Sequence, residues 1–273
     1  MRTSRVVVAG ALLAIALPSC VVVGAQPATP QRPTFSSNTN TTAEGTVEME
    51  AGYADDTKGD RSDSDRTASV TFKYGLSEKA EVFVAGLPYV EGQRAGRRES
   101  GLGETTIGAR HRIWENDDGS LSFAYQASVE LPTGSTTDGL SNGEEDFYGA
   151  AILSGREENW GWTAFYQHGR IDLKGGDRTG QDAFALAVDT PIDDQVSAFA
   201  ELAYIRTRSI DDHPKYATVG LAWAQDQALI WDFSVVRPFN NDGPDTRFQI
   251  GATVNWGHLF GEERREAAAA TPN

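Results

Sequence analysis

The chain has 273 residues with 39 Asp and Glu against 24 Lys and Arg, a formal net charge of −15. Phosphate backbones need concentrated Lys and Arg, so no nucleic-acid partner is expected. The single cysteine, Cys20, lies in the first 25 residues; a chain cut after Ala25 has none, which excludes thiol catalysis and Cys-ligated metals and suits an exported protein without disulfides.

From the N-terminus, Arg2 and Arg5 precede an apolar run over residues 6–17, too short to cross a bilayer as a helix. With Pro18 ending the run and Val23-Gly24-Ala25 offering small residues at a cleavage site, residues 1–25 read as a signal peptide cut after Ala25. Leu17-Pro18-Ser19-Cys20 loosely resembles a lipoprotein box, leaving lipidation of Cys20 as the alternative. Losing Arg2 and Arg5 takes the formal charge from −15 to −17. Residues 26–44 are rich in Pro, Thr, Asn and Ser and carry no burial pattern, which predicts a disordered periplasmic tether.

Alternating strand segments follow at 45–53, 66–76, 79–90, 102–114, 120–131, 145–154, 159–169, 181–191, 195–206, 215–224, 228–238 and 246–257. In the fifth, Leu121, Phe123, Tyr125, Ala127, Val129 and Leu131 share one face, with Ser122, Gln126, Ser128 and Glu130 on the other. The second and last segments alternate as clearly; the third and sixth are apolar on both faces. Odd-numbered connections are long and polar (54–65, 91–101, 132–144, 170–180, 207–214 and 239–245), and even-numbered ones are turns. Greek-key sandwiches have no reason to keep that order. An all-β, transmembrane, antiparallel up-and-down β-barrel of about 12 strands does, with turns in the periplasm and long loops outside. The expected barrel covers 45–260.

The aromatics sort by strand end. Trp114, Trp160, Trp162, Trp223, Trp231 and Trp256 fall near short turns or the chain exit, and Tyr53, Tyr89, Tyr148, Tyr166, Tyr204 and Tyr216 fall near long loops, with Tyr74 and Tyr125 as exceptions. Two interfacial girdles predict that sorting. Phe260 is placed to serve as the terminal aromatic that barrel-assembly machinery reads, although a charged, Ala-rich periplasmic tail, 261–273, follows it.

Three stretches resemble the outer-membrane family of phenol-degradation (MetA-type) pathway proteins, described as transporters. They are Tyr74-Gly75-Leu76-Ser77-Glu78-Lys79-Ala80-Glu81-Val82 with Gly86-Leu87-Pro88-Tyr89, then Gly101-Leu102-Gly103-Glu104-Thr105-Thr106-Ile107-Gly108-Ala109-Arg110, then Glu130-Leu131-Pro132-Thr133-Gly134. Glu104 stands where that family usually has Asp. The resemblance implies a barrel concerned with passage of small, often aromatic or hydrophobic compounds, and brings no catalytic or binding residues. In these stretches glycines allow bending and close approach, and Gly-x-Gly without a following helix is no dinucleotide fingerprint.

Strand parity places Glu48, Glu50, Lys73, Glu104, Arg110, Arg112, Glu130, Glu201, Asp232 and Arg247 in the lumen. Such a set reads either as a selective conductive lining or as opposite charges that pair and fill the interior. Arg94, Arg97 and Arg98 form a basic cluster in the second long loop, suited to lipopolysaccharide phosphates, an anionic solute or plain solvent. Asp55, Asp56, Asp60, Asp63 and Asp65 lack the ordered spacing of a Ca²⁺ loop, and the four histidines form no metal pair. A lipid hydrolase would need a His–Ser pair on the outer face; His168 is at the right strand end without a serine two residues away. The expectation is a non-enzymatic outer-membrane channel for small solutes, needing no cofactor and meeting membrane lipid, lipopolysaccharide, the assembly machinery and its solute. A barrel hydrolase and a closed structural or adhesive barrel are the alternatives.

Overall fold

Residues 26–57, 64–94, 97–137, 140–173, 177–210, 213–239 and 246–258 are described by the computed structural model. The expected signal peptide, tail and terminal Phe260 lie outside these residues, as do Asp60 and Asp63 and the side chains of Arg94 and Arg97.

The described residues form thirteen strands: β1 (Thr46–Thr57), β2 (Ser64–Ser77), β3 (Ala80–Arg94), β4 (Arg97–Gly101), β5 (Thr105–Glu115), β6 (Leu121–Leu131), β7 (Asp146–Glu157), β8 (Trp160–Asp172), β9 (Arg178–Pro191), β10 (Val196–Thr207), β11 (Lys215–Ala224), β12 (Leu229–Pro238) and β13 (Thr246–His258). All pair antiparallel; twelve of them form a ring closed by the β1–β13 and β2–β3 ladders, and β4 pairs with β3 alone. The short turns have the chemistry for tight reversal. Asp193 Oδ1 accepts from the N–H groups of Gln195 and Val196, and Asp226 Oδ1 from those of Ala228 and Leu229.

The fourth predicted strand, 102–114, proves to be two pieces. β4 pairs with the upper part of β3 and β5 with its lower part, and the ladder breaks at Leu102, Gly103 and Glu104. There Gly103 N–H donates to Leu87 O at 2.8 Å and Leu87 N–H to Glu104 O at 3.2 Å. A Cβ on Gly103 would sit 2.7 Å from both Leu87 Cβ and Val90 Cγ2, so the crossing demands glycine. Thr133 Oγ1 donates to Gly103 O at 2.9 Å, so the three family-like stretches meet here, at the long-loop rim.

The two faces invert the usual soluble arrangement. Phe72, Val84, Ile107, Leu186, Leu202, Leu221 and Phe233 are exposed on the outer wall, a continuous apolar belt of the kind acyl chains cover. Glu48, Glu50, Lys73, Glu81, Arg110, Glu201 and Asp232 point inward and are at most 3% exposed. One side of the interior is apolar: Ala124, Ala150, Ile152, Phe165, Ala185 and Ala203 form a buried cluster across β6 to β10. The tryptophans sit at the short-turn ends, where Trp223 and Trp231 are cross-strand partners. Two of the long-loop tyrosines depart from a girdle: Tyr148 lies over Gly169 inside the barrel, and Tyr216 lines an interior cavity.

Candidate functional site

The segment 26–44, expected as a disordered tether, instead runs inside the barrel. Ala28 N–H donates to Gln227 O at 2.8 Å, fixing the entry at a short turn between β11 and β12. The chain climbs past β1, turns at Pro33–Ser36 near the middle of β10, and descends to the β2–β3 turn, where the Thr41 hydroxyl donates to Glu78 O at 3.0 Å. Its two limbs are clasped by Gln31 and Asn38: Gln31 Nε2 donates to Asn38 Oδ1 at 3.1 Å, and Asn38 N–H to Gln31 Oε1 at 2.8 Å. A polar composition signals disorder because such a chain has no apolar surface to bury. A charged barrel interior removes that requirement, since hydrogen bonds to buried carboxylates hold the segment.

Most of the predicted lumen residues are what holds it. Glu48 accepts Thr29 N–H and Glu50 accepts Gln31 N–H, each at 2.8 Å. Lys73 Nζ bridges Glu48 and Glu50 and donates to Thr29 O at 2.7 Å. Glu201 takes the turn: Phe35 N–H and Ser36 N–H donate to its two oxygens at 2.8 Å, with the Ser36 hydroxyl on one of them. Asp232 pairs with Arg32 at 3.4 Å, whose other arm donates to the Ser69 hydroxyl at 3.1 Å. Arg110 donates to Asn40 O at 3.1 Å and lies 3.2 Å from Glu81, which accepts Thr42 N–H at 2.7 Å. Buried charges persist only when paired and hydrogen-bonded. Here Lys73, Arg110, Arg32 and the segment's amides together answer five buried carboxylates.

The remaining predicted residues lie at the rims. Arg112 Nη2 donates to Glu78 O at 2.9 Å, and its Nε lies 3.3 Å from the Glu115 carboxylate, near the short turns. Arg247 is held by two bonds to Asp56, at 2.5 and 2.7 Å. Glu104 accepts the Ser141 hydroxyl at 2.9 Å, and Glu130 is the cross-strand partner of Asp146; neither reaches the internal segment. Sequence reasoning missed Glu81, Arg32, Gln31 and Phe35. Glu81 lies on a strand apolar on both faces, but its place opposite Arg110 in the ladder is a pairing signal. The others belong to a segment without strand periodicity.

Two glycines make the seat for Arg32. Gly52 and Gly251 are cross-strand partners, and the guanidinium crosses them so closely that a Cβ on Gly52 would fall 2.1 Å from Arg32 Cζ and one on Gly251 2.5 Å from its Nε.

The internal segment fills the short-turn half of the lumen. Above its turn is a cavity of about 420 Å³ walled by Pro33, Phe35, Ala203, Ile205, Val236 and Pro238, with Tyr216, Thr218, Gln249 and Arg247 on its polar side. Phe35 meets Phe165 edge-on at 5.8 Å between ring centres yet remains 41% exposed.

The other described candidates all have polar partners. His168 Nδ1 lies 2.8 Å from Asp182 Oδ1, which also accepts the Tyr166 hydroxyl at 2.9 Å, and the residue opposite His168 on β7 is Gly149. Arg98 approaches Glu91 at 3.5 Å, Arg66 bridges Asp55 and Glu91, and Asp56 holds Arg247, so these first-loop carboxylates face arginines.

Closure, the apolar outer belt and the charged interior define an outer-membrane-type β-barrel. No protein-family model matches the chain, and no curated protein sequence does. Among solved structures it is similar to the KdgM porin, at a TM-score of 0.52 and 10% identity over 75% of this chain and 98% of that one. It is similar also to the KdgM porin in complex with disordered oligogalacturonate, at a TM-score of 0.52 and 9% identity over 77% and 98% of the two chains. At these identities the likeness is one of fold.

Proposed function

We propose that this protein is a bacterial outer-membrane channel for passive passage of small solutes, closed at rest by its own N-terminal segment. The observation that carries this reading is the pairing of a lipid-compatible outer wall with a polar lumen whose short-turn half is occupied by residues 29–42. A barrel of twelve strands is wider than the roughly eight-stranded barrels that side chains alone fill, so a solute entering from the long loops meets the cavity and then the segment. Passage requires the segment to leave its anchors. The lumen charges serve first as those anchors, and they set selectivity once it has moved.

Fold likeness to a porin supports the channel class. The oligogalacturonate of that second complex belongs to the KdgM porin, and it supports here only that a barrel of this shape can admit a solute. The resemblance of residues 74–134 to MetA-type proteins favours aromatic or hydrophobic solutes; it rests on those stretches and on no family model. Insertion in the outer membrane after removal of residues 1–25 belongs to the same reading.

Planar-bilayer recording and liposome swelling test it. The full chain should conduct rarely, and a chain lacking residues 29–42 should conduct steadily and admit small solutes. No conductance and no swelling from either form would reject the channel. A closed structural barrel would then be the better reading, consistent with a lumen so fully paired.

A further inference from the structure

We infer that the cavity above the internal segment is a binding site for an uncharged small molecule with a compact apolar or aromatic body and one hydroxyl or carbonyl. This rests on the channel reading and supplies its first solute-binding step. A volume of about 420 Å³ lies within the range of ligand sites and suits a molecule of modest size. Its walls extend the apolar side of the interior, to which they are joined through Ala203 and the Phe35–Phe165 contact. Ala203, Ile205, Val236 and Pro238 come inward from neighbouring strands, and the segment contributes Pro33 and the open face of Phe35. Water covers that apolar surface poorly, and an apolar ligand gains by replacing it.

The ionised groups in the lining are already engaged. Arg247 is neutralised by two bonds to Asp56, and both Glu201 oxygens are occupied by donors from Phe35 and Ser36. Among the described lining residues Arg247 is the cation, its charge is balanced by Asp56, and the negative charge of Glu201 opposes an anionic head. The side chains of Thr218 and Gln249 edge the cavity and can bond a hydroxyl or carbonyl.

Phe35 and Glu201 belong to the cavity and to the seat of the internal segment at once. A ligand packed on Phe35 therefore acts on the segment directly. If its affinity differs between the seated and displaced states, it shifts the balance between them.

The test uses the full chain in lipid nanodiscs, with methyl-labelled isoleucines observed by NMR during titration with benzyl alcohol, benzoate, benzylamine and glucose. Ile205 reports the cavity; Ile250, exposed on the outer wall, reports partition into lipid. Benzyl alcohol should shift Ile205 saturably and leave Ile250 to drift linearly, with benzoate, benzylamine and glucose at least tenfold weaker. Phe35→Ala should weaken benzyl alcohol at least tenfold, and Phe35→Leu should restore part of the affinity. Equal, non-saturating shifts at both isoleucines would overturn the site, and tighter binding of benzoate or benzylamine would overturn the ligand class. Saturable binding without liposome swelling would remove the channel and keep the site; swelling without saturable binding would do the reverse.

Discussion

The anchor at Glu201 gives the sharpest test of the closed state. In Glu201→Ala the N–H groups of Phe35 and Ser36, each 2.8 Å from a carboxylate oxygen, lose their acceptor, and the Ser36 hydroxyl loses its own. Ser36 is 3% exposed, so these donors are not freely solvated from its side. A buried donor left unpaired costs about 1–3 kcal/mol. Two give roughly 2–6 kcal/mol against the seated segment, the lower end applying if water enters from the cavity above. At about 1.4 kcal/mol per factor of ten, even 2 kcal/mol moves the open-to-closed ratio roughly 30-fold. Single-channel recording should therefore show a large rise in open probability for Glu201→Ala, with Glu201→Gln in between because the amide keeps one acceptor. The backbone of residue 201 stays paired with β9 and β11, so heat-modifiable mobility on gels should not change. If a chain lacking residues 29–42 conducts steadily while Glu201→Ala matches the wild type, the carboxylate is not what holds the segment.

Gly52→Ala adds only a methyl group, placed 2.1–2.3 Å from the Arg32 guanidinium atoms; it should unseat Arg32, raise open probability and leave barrel stability unchanged, and a silent variant would remove Arg32 from the seat. Lys73→Met leaves Glu48 and Glu50 buried without their cation, which should lower the unfolding free energy in urea by about 3–5 kcal/mol, with partial recovery on adding Glu50→Gln. Gly103→Ala forces a methyl against Leu87 and Val90 and should cost about 1–3 kcal/mol in the same assay; an unchanged midpoint would mean the β4–β5 break tolerates a side chain. Leu221→Arg, on the outer wall, should destabilise the liposome-inserted barrel by about 2–4 kcal/mol. A neutral result there would mean that lipid does not cover this face.

Where apolar and polar residues alternate cleanly, the sequence alone decided which side chains face out and which face in; on the third and sixth predicted strands, apolar on both faces, it did not. A period of two is a local property: Leu121 to Leu131 reads as a half-apolar strand whatever lies beside it. The Asp-led turns at Asp193 and Asp226 and the gathering of tryptophans at one set of strand ends are equally local, so the barrel was legible. The break at Leu102–Glu104 was not, because it depends on how Gly103 meets Leu87 across the ladder. Tyr216 has the position of a girdle residue, but its parity, opposite to the outward Val219, Leu221 and Trp223, turns it to the cavity.

The fate of residues 26–44 lay furthest from local pattern. A run of Thr, Pro, Asn and Gln has no periodicity to place it, and its partners are distant: Arg32 meets Asp232, 200 residues away, and Phe35 meets Glu201 at a separation of 166. Parity put those carboxylates in the lumen without saying what they would bind. Closure of the sheet gathered them around one space, and in that space a polar chain is held by hydrogen bonds rather than by burial of apolar surface.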